Sequence, residues 1–106
     1  MLYRRMNCTD RKLSILGFGC MRLPQTPDFH IDAPLATDMI RYAIDRGVNY
    51  LDTACVYHNG KCEPFLGRAL MEGYRKKVRL ATKLPVWSVE TLKDMDRLVT
   101  GKTADA

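Results

Sequence analysis

The sequence predicts an α/β chain that builds a parallel sheet, and three observations carry this. Short apolar runs stand near 16–20, 48–52 and 78–82. Apolar residues at helical spacing fill the intervals between them and follow the last. Turn signals, Gly47 and Gly73 among them, separate the two patterns. The order is β-α-β-α-β-α, with helices long enough for right-handed crossovers between parallel strands. A doubly wound sheet and a section of a (β/α)8 barrel both fit this order.

Residues 2–15 alternate loosely between apolar and charged types. Tyr3 and Met6 lie on one side of the polar turn Thr9-Asp10-Arg11-Lys12, and Leu13 and Ile15 on the other, which reads as a small hairpin. In the first run, Leu16-Gly17-Phe18-Gly19-Cys20, two glycines remove side chains where a backbone or a ligand can approach, or where packing is tight. A loop with three prolines covers Pro24 to Pro34. Asp32 then suits an N-cap, and Pro34 suits a first turn, where a missing N–H costs nothing. Leu35, Met39, Ile40, Ala43 and Ile44 mark a helix over 34–46 that stops at Gly47.

After the run at 48–52 comes a loop to Lys61. A second helix starts near Cys62-Glu63-Pro64, carries Phe65, Leu66, Ala69 and Leu70, and ends by Gly73. Val78 to Thr82 forms the third run. A last helix is expected from an N-cap at Ser88, with Val89, Leu92, Met95 and Val99 as its apolar face. The stretch from Thr100 to Ala106 is small, polar and aperiodic. Its Gly101-Lys102-Thr103 resembles the end of a P-loop, but the first glycine of that motif would fall on Asp96, so the motif is rejected.

Composition bounds the function. At 106 residues, with 46% hydrophobic and 27% charged, the chain amounts to one globular domain or part of one. A net charge of +5 permits a nucleic-acid partner without arguing for one, because Lys and Arg are spread out. The dense group Arg75, Lys76, Lys77 and Arg79 sits at a helix-to-strand turn and reads as a solvated turn, with a phosphate-binding patch as the lesser alternative. No nucleic-acid partner is therefore expected. No run of about 18 apolar residues exists to span a membrane, and no apolar stretch of a secretory leader follows Arg4 and Arg5. Cysteines 8, 20, 55 and 62 show no C-x-x-C spacing, and histidines 30 and 58 are far apart, so no metal site is expected. Scattered thiols without a leader suit a reducing cytoplasm.

Polar residues at strand ends bear on the choice of architecture. Asp52 stands at the carboxyl end of the second run, Lys83 at the carboxyl end of the third, and Tyr57 in the loop after the second. Barrel enzymes build their sites from those positions, although such residues also fall at strand ends by chance.

Several spaced motifs then agree. They are Leu16-Gly17-Phe18-Gly19-Cys20-Met21-Arg22-Leu23-Pro24, the stretch Ala43 to Ala54 containing Asp45-Arg46-Gly47-Val48-Asn49-Tyr50-Leu51-Asp52-Thr53, Tyr57-His58-Asn59-Gly60 with Glu63 and Leu66-Gly67-Arg68-Ala69-Leu70, and Val78 to Leu84. Together they closely resemble the aldo-keto reductase superfamily, in unbroken order over roughly 3–98. The wording Met-Arg-Leu-Pro is similar to the prokaryotic branch whose members often carry a C-terminal ferredoxin-like iron–sulfur region. A cluster would belong only to such a region, which this sequence does not contain. The resemblance implies a (β/α)8 TIM barrel, here an N-terminal hairpin plus the first three strand–helix units. Residues 1–98 would be the N-terminal part of that barrel and 99–106 a tail unlike the family.

The resemblance also implies reduction of a small carbonyl substrate, an aldehyde or ketone, with NADPH or NADH. Asp52, Tyr57 and Lys83 match three members of the family's catalytic tetrad. The fourth, a histidine after the fourth strand, has no counterpart, and His58 belongs to a different motif. In that chemistry hydride goes to the carbonyl carbon and the alkoxide takes a proton from the tyrosine. A free phenol has a pKa near 10, and an ammonium beside it favours its ionised form, with a carboxylate fixing the lysine in turn. Gly19, Cys20, Met21 and Arg22, with Asp52, would line the nicotinamide end of the cofactor.

A barrel of this kind needs about 250 residues, and its phosphate-binding loops follow the seventh and eighth strands. The expectation is therefore a fragment that is inactive alone and whose open sheet edge invites association. The alternatives are a noncatalytic remnant or a chain that completes a barrel with a partner, and a basic binding module supported by charge alone.

Overall fold

The computed structural model describes residues 1–100. Strands β1 (Tyr3–Arg5) and β2 (Lys12–Ser14) form an antiparallel hairpin in which Tyr3 faces Ser14 and Arg5 faces Lys12. Three parallel strands follow, β3 (Phe18–Gly19), β4 (Tyr50–Asp52) and β5 (Arg79–Ala81), adjacent in chain order. Helix α1 (Ala33–Asp45) links β3 to β4, and α2 (Cys62–Ala69) links β4 to β5. Helix α3 (Leu92–Thr100) comes last. Each strand adds on the same side of its predecessor, as in a section of a barrel wall. Of the three, β4 is central, and β3 and β5 are edges.

The hairpin closes the amino-terminal end of this sheet, and two contacts dock it. The Tyr3 hydroxyl donates to the Gly47 carbonyl at 3.0 Å. Gly47 has φ +104°, and a Cβ there would fall 2.6 Å from the Tyr3 hydroxyl oxygen, so both the turn and the docking require glycine. Asn49 makes the second contact. Its Oδ1 accepts from the Ser14 amide at 2.7 Å, and its Nδ2 donates to the Lys12 carbonyl at 2.9 Å.

Asp32 caps α1 as expected, its Oδ1 accepting from the Leu35 amide at 3.2 Å with Pro34 in the first turn. The buried row, however, is Ala36, Ile40 and Ile44, while Leu35 and Met39 are exposed. The helix turns its narrower i, i+4 row to the sheet, and the expected stripe was wider than the contact. That row meets Leu51 of β4 and Phe65, Leu66 and Leu70 from the second helical segment. Leu80, paired in register with Leu51, is exposed on the edge strand.

Two boundaries differ from expectation. The regular helix α2 stops at Ala69, short of Gly73. The Arg41 side chain takes the carbonyls of Ala69 at 2.9 Å and Met71 at 3.2 Å, and Glu72 turns left-handed with φ +63°. Helix α3 is capped by Thr91, with Ser88 in a separate short turn over Val86–Ser88. The Thr91 hydroxyl accepts from the Asp94 amide at 3.1 Å, and an Asp94 carboxylate oxygen accepts from the Thr91 amide at 3.2 Å, a reciprocal capping box. Val89 consequently lies outside the helix, and Leu92 and Val99 are exposed. The tail assigned to 99–106 falls, from residue 101 onward, outside the described residues. Among the described residues no helix is long and apolar enough to cross a membrane.

Candidate active site

The carboxyl ends of the three strands converge through backbone hydrogen bonds that continue past the sheet. The Cys20 amide donates to the Asp52 carbonyl at 2.9 Å, the Thr53 amide to the Ala81 carbonyl at 2.8 Å, and the Cys55 amide to the Lys83 carbonyl at 3.2 Å. Register pairs Asp52 with Ala81, so Lys83, two residues further, extends beside the loop that leaves β4.

There the Lys83 Nζ meets three acceptors. It is 2.8 Å from Asp52 Oδ2, 3.0 Å from the Thr53 carbonyl oxygen and 3.2 Å from Tyr57 Oη. An ammonium has three donors, so these contacts use all of them. The hydrogen bond to Asp52 first, and that to Tyr57 second, hold the Lys83 ammonium above its ordinary range, so lysine stays charged at neutral pH. Because Tyr57 Oη accepts from Lys83, the phenol's own proton is left to be given elsewhere. The Asp52 and Lys83 side chains remain partly open to solvent, so the pair is weak as a stabiliser of the fold. Its value is in orientation.

The loop that carries Tyr57 is conformationally unusual. His58, Asn59 and Gly60 are consecutive left-handed residues, with φ of +54°, +55° and +81°. For the two non-glycines this costs on the order of 1–2 kcal/mol each, so other contacts must hold them. One is from His58, whose Nε2 accepts from the Leu23 amide at 3.2 Å while its Nδ1 lies 3.4 Å from Gln25 Nε2. The Tyr57 loop is thereby joined to the loop after β3. Between them lies an open groove of about 570 Å³ lined by Met21, Arg22, Leu23, Gln25 and residues 56–59.

The structure brings together Asp52, Tyr57 and Lys83. Met21 and Arg22 line the neighbouring groove, and Gly19 ends β3 with open space where a side chain would stand. Room at Gly19 fits the close approach of a flat ring, so the residues present fit a nicotinamide. Cys20 departs from the expected set. It is fully buried, and the hydrogen bond to Cys62 together with burial pushes its thiol up, so it supports the loop from beneath and presents no side chain to the groove. Two further residues, quoted in the sequence motifs without a site role, support the site. Thr53 is buried, gives its carbonyl to Lys83 and donates its hydroxyl to Cys62 Sγ at 3.1 Å. Glu63, the second residue of α2, accepts from the Thr82 hydroxyl at 2.8 Å and so ties α2 to the Lys83 loop. A hydroxyl next to Asp52 was the available signal for the first.

Known proteins share this arrangement of chain. A model of the Aldo/keto reductase family matches residues 15–104. A probable aldo-keto reductase 1 of Glycine max is 35% identical over 77 residues, covering 73% of this chain and 22% of that protein. The solved aldo-keto reductase AKR11C1 of Bacillus halodurans, in its holo form, is 39% identical with a TM-score of 0.65, over 79% of this chain and 26% of that one. An aldo-keto reductase of Klebsiella pneumoniae, solved in complex with NADPH, shares the fold at 24% identity and a TM-score of 0.70, over 86% of this chain and 30% of that one. The chain thus spans about a quarter of the length of the curated relatives it matches. A hairpin closing one end, three parallel strands in chain order and a family match that takes in all three of them lead to one conclusion: the chain belongs to the aldo/keto reductase family, with the fold of a partial (β/α)8 barrel.

Proposed function

We propose that this chain provides the tyrosine-centred proton-transfer group of an NAD(P)H-dependent reductase of aldehydes or ketones. The carrying observation is the Lys83 ammonium held at once by Asp52 at 2.8 Å and Tyr57 at 3.2 Å. Tyr57 donates the proton to the oxygen of the reduced carbonyl. Lys83 stands ready to stabilise the phenolate left behind, and Asp52 fixes Lys83 in place. When bound, a nicotinamide cofactor supplies the hydride. Gly19, Met21, Arg22 and Asp52 border the space for its nicotinamide end. Its phosphates are held in such barrels by loops after the seventh and eighth strands, so turnover is expected to need further strand–helix units.

The free edge of β5 favours a second reading, in which those units come from another chain added along that edge.

The test is to join this chain to the remaining barrel units of a relative and measure NADPH-dependent reduction of an aldehyde. Turnover is expected, falling by about 10²–10⁴-fold in Tyr57→Phe, the ordinary worth of a general acid. Lys83→Met should lose a comparable factor. The unjoined chain should neither quench NADPH fluorescence nor turn over. Turnover of the joined protein that survives Tyr57→Phe would remove Tyr57 from the chemistry, and Tyr57-dependent turnover by the unjoined chain would overturn the need for further units.

A further inference from the structure

We propose that the amino-terminal end of the sheet carries a second binding site, for an oligophosphate anion with at least two phosphate groups. The site is at the opposite end of the strands from Asp52 and Lys83, and it does not rest on the reductase reading. Arg11 and Lys12 come from the hairpin, and Lys76, Lys77 and Arg79 from the turn into β5. With Asn49 and Val78 they surround one concavity of about 140 Å³.

Two features separate this from an ordinary solvated face. First, segments more than 60 residues apart in sequence deliver their cations to one place, and no carboxylate lines it. Asp10, the acid next to Arg11, lines a different hollow with Arg5. Second, none of the five cations is in an ion pair with a carboxylate among the described residues. The Lys77 ammonium lies 4.9 Å from the centre of the Tyr74 ring, a contact that orients it without supplying a counter-charge. The fourth member of the cluster seen in the sequence, Arg75, is spent on the Val78 carbonyl at 3.2 Å and takes no part. Lys76, Lys77 and Arg79 are solvent-exposed, as the sequence leads one to expect, and the hairpin brings Arg11 and Lys12 beside them.

Charge and size specify the ligand. Five like charges around one hollow repel one another, and an anion relieves this for all of them at once. A phosphate group carries about −1.5 to −2 at pH 7, so one group leaves most of the site uncompensated and two approach balance. The hollow has the volume of roughly four to five waters at about 30 Å³ each. It therefore admits one phosphate group, with the second at its open rim among the exposed lysines. Fixed polar geometry comes from Asn49, whose amide is locked by Ser14 and Lys12.

The test is calorimetric titration of the chain with inorganic pyrophosphate at about 20 mM and about 150 mM salt. Binding is expected, weaker at the higher salt, with orthophosphate at least about tenfold weaker than pyrophosphate. Lys76→Glu and Arg11→Glu should each weaken pyrophosphate about tenfold or more, while Arg68→Glu, the same charge change on α2 outside the site, should stay within about twofold. Amide shifts on titration should be largest at Val78 and Arg79 and absent at Gly19, and an amide spectrum matching the parent's away from the substitution shows that each variant is folded. No binding at the lower salt, or equal loss in Arg68→Glu and Lys76→Glu, would overturn the proposal. So would tighter binding of single-stranded RNA than of pyrophosphate. Vesicles bearing a bisphosphorylated lipid decide the source: retention with the same variant pattern makes the anion a headgroup, and pyrophosphate binding without retention makes it a free solute.

Discussion

Replacing Asn49 by alanine should destabilise the chain by about 2–4 kcal/mol, and the figure follows from what its side chain holds. Two hydrogen bonds are lost, from the Ser14 amide at 2.7 Å and to the Lys12 carbonyl at 2.9 Å, each worth about 1 kcal/mol net. The two orphaned groups then differ. The Lys12 carbonyl stands at an exposed position and turns to water. Ser14 is largely buried and the bond it makes is part-buried, so leaving its amide unpaired costs about 1–3 kcal/mol in place of the net value. Against a total of about 5–15 kcal/mol for a domain of this size, such a loss is large. It should lower the thermal midpoint by roughly 8–32 °C at about 4–8 °C per kcal/mol. Urea unfolding followed by far-ultraviolet dichroism and by Trp87 fluorescence would measure it, and the Ser14 amide should exchange with solvent faster in the variant. Asn49→Asp is the discriminating control. Its carboxylate still accepts from Ser14 but has no proton for Lys12, and its new charge sits among Lys12 and Arg79, so it should cost less than half as much. An alanine variant within about 0.5 kcal/mol of the parent, inside ordinary surface-substitution scatter, would refute the idea that this amide docks the hairpin onto the sheet.

Two further effects should be measurable. Leu51→Ala, at a fully buried position facing α1 and α2, should cost about 2–5 kcal/mol in denaturant unfolding, and Leu80→Ala, its exposed neighbour in register, clearly less. Thr91→Ala should cost α3 about 0.5–2 kcal/mol of helix stability. The same cap has a pH dependence: hydrogen bonds from the Glu90 amide, then from Thr91, with the Arg97 charge, hold the Asp94 carboxyl below its ordinary range. A depressed folded value means the stabilisation is complete above the unfolded pKa near 3.8 and is lost as pH falls through the folded one. Helical dichroism should therefore fall in acid in the parent, and less steeply in Asp94→Asn.

Much of the chain was legible because strand and helix periods differ and glycines mark the changes. Asp32, Pro34 and Gly47 bounded α1 correctly, since caps and turn residues act through neighbours only a few positions away. The face of α1 was less legible. Leu35, Met39, Ile40, Ala43 and Ile44 form one broad apolar stripe, and only packing selects Ile40 and Ile44 from it and adds Ala36, which the stripe did not include. The start of α3 was misplaced because Ser88 and Thr91 are both competent caps. The carboxylate three residues after Thr91 was the signal that separates them. Contacts across long separations, such as Asn49 to Ser14 and Arg41 to the end of α2, leave no local trace at all.

The candidate site shows the same division from another side. Asp52 and Lys83 could be picked out as polar residues where apolar runs end, but that position does not say whether they meet. Pairing of Asp52 with Ala81 settles it, because a parallel register places residue 83 beyond the strand end and beside the β4 loop. The consequence reaches Tyr57. With Asp52 and the Thr53 carbonyl taking two of the three Lys83 donors, the third points to Tyr57 Oη, and the phenol becomes an acceptor from lysine whose own proton must go elsewhere. A lysine with one partner fewer would be free to swing away from the phenol. On the proposed reading, the main-chain carbonyl of residue 53 therefore shares with Asp52 the task of aiming Lys83 at the phenol.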